Sequence, residues 1–303
     1  MININLKNNP DLYKDFEKCL DFLKNLKEED YEYPEDITLF HTYTEIKNKK
    51  ELAVITSFLA TQNLEKCKLV VWSDYSIEDN PLIQPYKKFI DLKIWNPIEE
   101  AKGTILEGKD KILLSRDRKY YLQSDLLRLL VLHKYGGTWI DMDIVFLRDF
   151  KPILDQEYMY MWGSETDFKK EGACATVLSL KKNSELSAEL LKELIMTPAR
   201  PETACWGKEM FATLYRRYPF PVFPGTFFNT EWNINVKYGP NSNKQILESW
   251  WDKNEKSEKS LFSQAFAWHW HNSSNKQKEV KNGSKFDILN RIHKKEIKAK
   301  LGI

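Results

Sequence analysis

Apolar residues first recur at helical spacing between Asp11 and Lys27, where Leu12, Phe16, Cys19, Leu20, Leu23 and Leu26 follow Pro10. This predicts one amphipathic N-terminal helix, set off from the main body by the acidic stretch 28–36. The period then changes. ITLFHTY (37–43) reads as a buried strand, 51–62 as a helix, KLVVW (68–72) as a second strand and 92–95 as a third. Strand, helix, strand at this spacing is a βαβ unit and implies a parallel sheet. Ligands of such sheets gather at the carboxyl ends of the strands. Thr42, Tyr43, Thr44 and the step Trp72-Ser73-Asp74 fall on that rim.

Further on, Tyr121–Tyr135 is a strongly apolar helix stopped by Gly136-Gly137. A short strand, 138–140, runs into Asp141-Met142-Asp143, with 144–147 expected as its continuation. Beyond residue 150 the pattern predicts a strand at 175–180, helices at 185–196 and 208–218, and a helix from Phe286 onward in a lysine-rich tail.

Charge narrows the function classes. The 46 basic and 44 acidic side chains of the 303 residues net +2, with none of the strong basicity expected of a nucleic-acid binder. The N-terminus lacks a basic segment followed by an apolar one, so no signal peptide is expected. No run approaches the roughly 18 apolar residues of a transmembrane helix. Four scattered cysteines form no CxxC pair, which points to reduced thiols and a cytoplasmic setting. Aromatic side chains make up 13% of the chain. Six tryptophans (Trp206, Trp232, Trp250, Trp251, Trp268, Trp270) follow residue 200, where some could line an acceptor cleft and others must be core.

The chemistry concentrates at Asp141 and Asp143. In an extended segment, residues two apart face the same side, so both carboxylates could meet one ligand. Oxygen ligands suit Mg²⁺ or Mn²⁺, often shared with substrate phosphates. An isolated DxD is a weak signal, but its surroundings add to it. In SDLLRLLVLHKYGGTWIDMDIVFLRDF (124–150), Ser124, Asp125, Arg128, Tyr135, Gly136, Gly137, Trp139, Asp141 and Asp143 keep several independent spacings. This run resembles the DXD sugar-binding region of glycosyltransferase family 32 and its relatives, which include bacterial capsule sugar transferases and the catalytic domains of large glucosylating toxins.

The resemblance implies an α/β GT-A fold: a Rossmann-like mixed sheet flanked by helices, with an N-terminal helix and a helical, aromatic-rich C-terminal part. It also implies a retaining transferase that uses a nucleotide sugar, a UDP-sugar being favoured, with Mn²⁺ or Mg²⁺ and a glycan or other hydroxyl acceptor. Carried over by position, Asp143 is the metal ligand and Asp141 contacts metal or ribose. Ser124, Asp125, Arg128 and Trp139 belong to the donor site, and Asp125 and Arg128 hold the sugar. Thr42 and Tyr43 lie where the nucleoside binds. His269, in AWHWHN (267–272), matches the histidine that completes the metal site, with His271 as competitor. The segment Gly172-Ala173-Cys174-Ala175 lacks the asparagine that relatives often carry near the acceptor.

The expected organisation is a single domain over 1–303. Its segments are an N-terminal helical segment (1–35), a donor half (36–150), an acceptor half (151–274) and a basic tail (275–303). The tail is expected to be a solvated helix, with weak membrane-surface contact as the alternative. Two rival functions stand beside the transferase. Asp141-Met142-Asp143-Ile144-Val145 also fits the nucleophile motif of haloacid-dehalogenase-like phosphatases, and the tryptophans suit a non-catalytic carbohydrate-binding module.

Overall fold

The computed structural model describes residues 8–161, 173–229, 250–252 and 264–303; Gly172 and Trp232, named above, lie outside them. The N-terminal periodicity yields two helices, α1 (Pro10–Lys14) and α2 (Phe16–Asn25), rather than one. Asp15 divides them: its extended backbone ends α1, and its carboxylate caps α2 by accepting from the amides of Glu17 and Lys18.

The βαβ reading holds. Strands β1 (Thr38–Tyr43), β2 (Cys67–Ser73) and β3 (Asp91–Ile94) are parallel neighbours, with α3 (Ala53–Thr61) crossing between the first two. Two short helices, α4 (Pro97–Ala101) and α5 (Asp110–Leu113), lead to the long α6 (Tyr121–Tyr135) and then to β4 (Gly137–Ile140), parallel to β1. The sheet continues through β7 (Ala173–Leu180), β6 (Tyr158–Met161) and β8 (Val222–Phe223), in the order β3-β2-β1-β4-β7-β6-β8. The antiparallel pairing of β7 with β4 places residues on both sides of position 150 in one sheet. Helices α7 (Glu185–Met196) and α8 (Met210–Arg217) follow, the latter preceded by a π-type segment at Cys205–Glu209 rather than starting at 208.

Gly137 shows why the glycine pair is needed. Its φ is +102°, and a β-carbon there would sit 2.1 Å from the carbonyl oxygen of Leu39. Only a residue without a side chain lets β4 pass β1 this closely.

The expectation for 144–147 requires correction. Instead of extending β4, β5 (Ile144–Phe146) leaves the main sheet and pairs antiparallel with β9 (Ala267–His269). Asp141–Asp143 therefore lie in a turn, closed by the Ile144 amide on the Asp141 carbonyl, and not in an extended strand. The two carboxylates consequently acquire different surroundings.

The tail also differs from expectation. After the short α9 (Asn272–Asn275), α10 (Lys285–Leu301) packs on α3 instead of standing in solvent. Phe286, His293 and Ile297 are buried along one face, and Lys300 donates to the carbonyls of Leu59 and Gln62 at the end of α3. Positive charge suits that helix terminus. Among the described residues, no helix is long and apolar enough to cross a membrane.

The described tryptophans of the C-terminal third are core. Trp206, Trp250, Trp251, Trp268 and Trp270 are each at most 3% exposed. Trp250, Trp251, Trp268 and Trp270 cluster with Leu20, Ala53, Val145 and Phe286. Lys50 lies over the rings of Trp251 and Trp270 while donating to the carbonyls of Asn275, Lys276 and Lys278.

Candidate functional site

The site forms where β4 ends, and backbone register assembles it. Pairing of β4 with β7 brings the Asp141 amide onto the Thr176 carbonyl at 2.8 Å. Pairing of β5 with β9 sets Ile144 opposite His269, while the Trp270 amide donates to the Asp143 carbonyl at 2.9 Å. His269 is thereby carried across 126 positions of sequence to within 3.2 Å of Asp143, Nε2 to Oδ2.

The two acids of the motif face different partners. Asp141 Oδ1 accepts from Arg128 Nη2 at 2.9 Å and from the indole of Trp139 at 2.6 Å. Arg128, two turns inside α6, also lies 3.4 Å from Asp125 Oδ1 and 3.5 Å from the Ser124 hydroxyl. The guanidinium stands over the Trp139 ring, 5.4 Å from its centroid. Ser124, Asp125, Arg128, Trp139 and Asp141 are thus one cluster. Trp139 is wholly buried in it, and its observed contacts hold Asp141 and Arg128 in place.

Asp143 belongs to a second cluster. Its Oδ2 accepts the Asn272 amide at 2.8 Å besides facing His269. His269 Nδ1 lies 3.3 Å from the hydroxyl of Tyr160, and its ring packs on His271 with centroids 3.8 Å apart. His271 is committed elsewhere, with Nε2 2.8 Å from Asn229 Oδ1. Of the two histidines, His269 is the one on the acid.

Electrostatics follow this division. Burial pushes the Asp125 carboxyl up to about 6; the Arg128 charge opposes that rise and Asp141 reinforces it. Burial likewise raises Asp141 against the pull of Arg128. At Asp143 burial also favours the acid form, but the His269 imidazole and the Asn272 amide outweigh it and hold the group at about 2. Burial keeps His271 well below the usual imidazole range. The motif thus presents a firmly ionised carboxylate beside an imidazole.

Could these residues hold a divalent ion? Among the described residues, no three His, Cys, Asp or Glu side chains gather into a cage. Asp143 and His269 nonetheless fit the donor chemistry. Adjacent ligands on an octahedral ion with bonds of roughly 2.1 Å lie about 3 Å apart, close to the 3.2 Å observed, and Mg²⁺ commonly fills its remaining positions with water and substrate phosphate. The buried groups without a protein partner include Arg128 Nε and Thr42 Oγ1; buried polar groups normally have one.

On the rim, Thr42 is fully buried and Tyr43 partly so, its phenol pushed up by burial and by the Asp74 carboxylate. Trp72 is core: its indole donates to His41 Nδ1, and it packs edge-on against Trp95. An open cleft lies just beyond the ends of β1 and β2, between 45–47 and 75–82. There Asn80 ties the loops together through the carbonyls of Glu45 and Ile46, and Tyr75 is exposed. The reading of the sequence missed Tyr160 and this cleft. No spacing rule marks Tyr160 within the buried strand YMYM, whereas the cleft's position follows from the strand ends.

The DxD sits after the fourth strand of the chain, and Asp141 is engaged by Arg128 and Trp139. Neither feature suits a phosphatase nucleophile.

Residues 50–160 match the family described as a glycosyltransferase sugar-binding region containing a DXD motif. An uncharacterized protein of Arabidopsis thaliana is 28% identical over 105 residues, which are 34% of this chain and 16% of that protein. The match thus spans about a sixth of that relative's length. Among solved structures, the glycosyltransferase GlyE of Streptococcus pneumoniae is similar with 12% identity over 86% of this chain and 60% of that one, at a TM-score of 0.49. The PaToxG glycosyltransferase is similar with 13% identity over 85% and 94%, at 0.45. Residues 50–160 are thus similar to a glycosyltransferase sugar-binding region, and the DXD motif of that match falls at Asp141–Asp143.

Proposed function

We propose that this chain transfers a hexose from a nucleotide sugar, with a UDP-sugar as the favoured donor, to a hydroxyl of a glycan or similar acceptor, with retention at the anomeric carbon. The observation that carries the donor reading is the meeting of Asp143 and His269, 126 positions apart, at 3.2 Å beside the buried Asp125–Arg128–Asp141 cluster. Asp143 and His269 would hold Mn²⁺ or Mg²⁺. The ion's role when bound is to neutralise the diphosphate that leaves.

The chain's own groups do the rest. Arg128 has an unpartnered Nε to offer the donor, and Asp125 sits beside it to accept a sugar hydroxyl. Thr42 and Tyr43, with the cleft beyond β1 and β2, supply polar and ring surfaces for the nucleoside. The three carboxylates of the site all face a cation or an imidazole, Asp125 and Asp141 at Arg128 and Asp143 at His269. That arrangement supports attack by the acceptor on the leaving-group face rather than by an enzyme nucleophile.

The test is a thermal-shift screen of nucleotide sugars with and without Mn²⁺, followed by release of free sugar or transfer to an acceptor. A ligand bound only to the native state raises Tm, so one donor should stand out and only with metal present. Asp143→Asn should lose both the shift and turnover while keeping the far-UV circular dichroism of the parent. Undiminished metal-dependent turnover in that variant would refute the reading.

A further inference from the structure

We propose that Tyr160 is a positioning residue whose hydroxyl, by serving either as donor or as acceptor to His269 Nδ1, lets that imidazole exchange Asp143 for a divalent cation as its Nε2 partner. The inference rests on the assignment of Asp143 and His269 to the cation.

Tyr160 is wholly buried on β6, opposite Cys174 of β7, with its ring against Phe228. Its hydroxyl lies 3.3 Å from His269 Nδ1 and accepts from the Cys174 thiol at 3.1 Å. Cys174 and Thr176 are themselves in contact, Sγ to Oγ1 at 3.2 Å. A phenol has one proton to give and lone pairs to receive, so these neighbours permit two complete arrangements.

Without a cation, Nε2–H donates to the Asp143 carboxylate at 3.2 Å, and Nδ1 accepts the Tyr160 proton. With a cation on Asp143, Nε2 must present its lone pair, and a lone pair facing a bare carboxylate would be repelled. The ring then has to carry its proton on Nδ1. The Nε2 proton leaves to water and Nδ1 takes one from water, so the ring stays neutral. Nδ1–H donates to the Tyr160 oxygen, the Tyr160 proton turns to the Cys174 sulfur, and the thiol proton turns to Thr176 Oγ1. His269 Nδ1, His269 Nε2 and the Tyr160 hydroxyl each have a partner in both arrangements, which is what such burial demands. A phenylalanine at 160 would keep the packing but leave Nδ1–H buried and alone in the cation-bound form.

The experiment titrates Mn²⁺ in the presence of UDP, reading free Mn²⁺ by electron paramagnetic resonance, for the parent, Tyr160→Phe, Thr176→Val and His269→Ala. In parallel, ¹⁵N spectra of the imidazoles are recorded with Mg²⁺ and UDP. Tyr160→Phe should bind Mn²⁺ about 10–100-fold more weakly, and the His269 ring should lose the Nδ1–H form that dominates in the parent. Thr176→Val should show a smaller loss in the same direction. If His269→Ala binds like the parent, the underlying cation assignment is overturned, and this inference with it. If His269→Ala is weak while Tyr160→Phe matches the parent in affinity and tautomer, only the role of Tyr160 is overturned. Should Tyr160→Phe fail to fold, Thr176→Val decides, and parent-like binding there overturns the proposal.

Discussion

Arg128 is the most exacting place to test the energetics. Its side chain is 8% exposed and lies between Asp125 and Asp141, themselves 12% and 25% exposed. Arg128→Met keeps much of the volume and removes the charge, leaving two buried carboxylates without their cation. Breaking a buried pair in this way costs about 3–5 kcal/mol; because solvent reaches Asp141, the lower end, about 3 kcal/mol, is expected here. At roughly 2–4 °C per kcal/mol this is a Tm loss on the order of 10 °C.

The sign of the pH dependence provides the sharper check. Asp125 already titrates at about 6 in the native protein, against an ordinary 3.8. Loss of Arg128 raises it further. A carboxyl whose folded pKa lies above its unfolded value makes the native state the better proton binder, so stability rises as pH falls through that folded value. The difference between Arg128→Met and parent should therefore shrink by on the order of 1–2 kcal/mol between pH 7.5 and 5.5. Denaturant unfolding at both pH values measures it, and taking the difference at each pH cancels the titrations that Arg128 does not touch, while Asp141, also released from Arg128, shifts in the same direction as Asp125. Adding Asp125→Asn should recover part of the loss at pH 7.5. A deficit below about 1 kcal/mol, or one that grows on acidification, would refute the account of a cation holding two buried acids.

Other outcomes follow from single features. Gly137→Ala meets the Leu39 carbonyl at 2.1 Å, whereas Gly103→Ala has similar φ and nothing within 4 Å; the first should cost at least about 3 kcal/mol and the second about 1, and equal losses on denaturation would discount the clash. Burial holds His41 and His293 at about 4. The unfolded chain takes those protons near the ordinary imidazole value of 6.5, so their contribution is complete above that pH and is lost as pH falls toward 4; His293→Leu should flatten the fall of Tm in that window, and an unchanged slope counts against it. Ile297→Ala, in the face of α10 that meets α3, should cost about 2–5 kcal/mol; a loss under about 0.5 kcal/mol would mean a solvated tail after all.

Much of the fold was legible because its determinants are local. The βαβ unit, α6 with its glycine stop, β7 and α7 all announce themselves by period and by caps. What escaped depends on long-range pairing. Nothing in the apolar run 144–147 says which sheet it joins, since any strand with a free edge could receive it. The docked face of α10 was misread because it includes His293 and Lys300, polar residues that a hydrophobic stripe assigns to water. At the site, Asp125, Arg128, Asp141, Asp143 and His269 were named from the resemblance to a family motif, and the structure draws them into two adjoining clusters. Tyr160 was invisible because a hydroxyl's partners are set by sheet register.

The closing of β5 on β9 has a consequence in time. Synthesis at roughly 5–20 residues per second delivers His269 some 6–25 s after Asp143, given the 126 positions between them. During that interval the βαβ unit and α6 can form, while the carboxylate lacks both its imidazole and the Asn272 amide. The growing chain therefore passes through a stage at which the βαβ unit exists and the pairing of Asp143 with His269 does not. The Asp143–His269 pair forms only when β9 docks on β5, the step that also brings the carbonyls of Asn275, Lys276 and Lys278 within reach of Lys50.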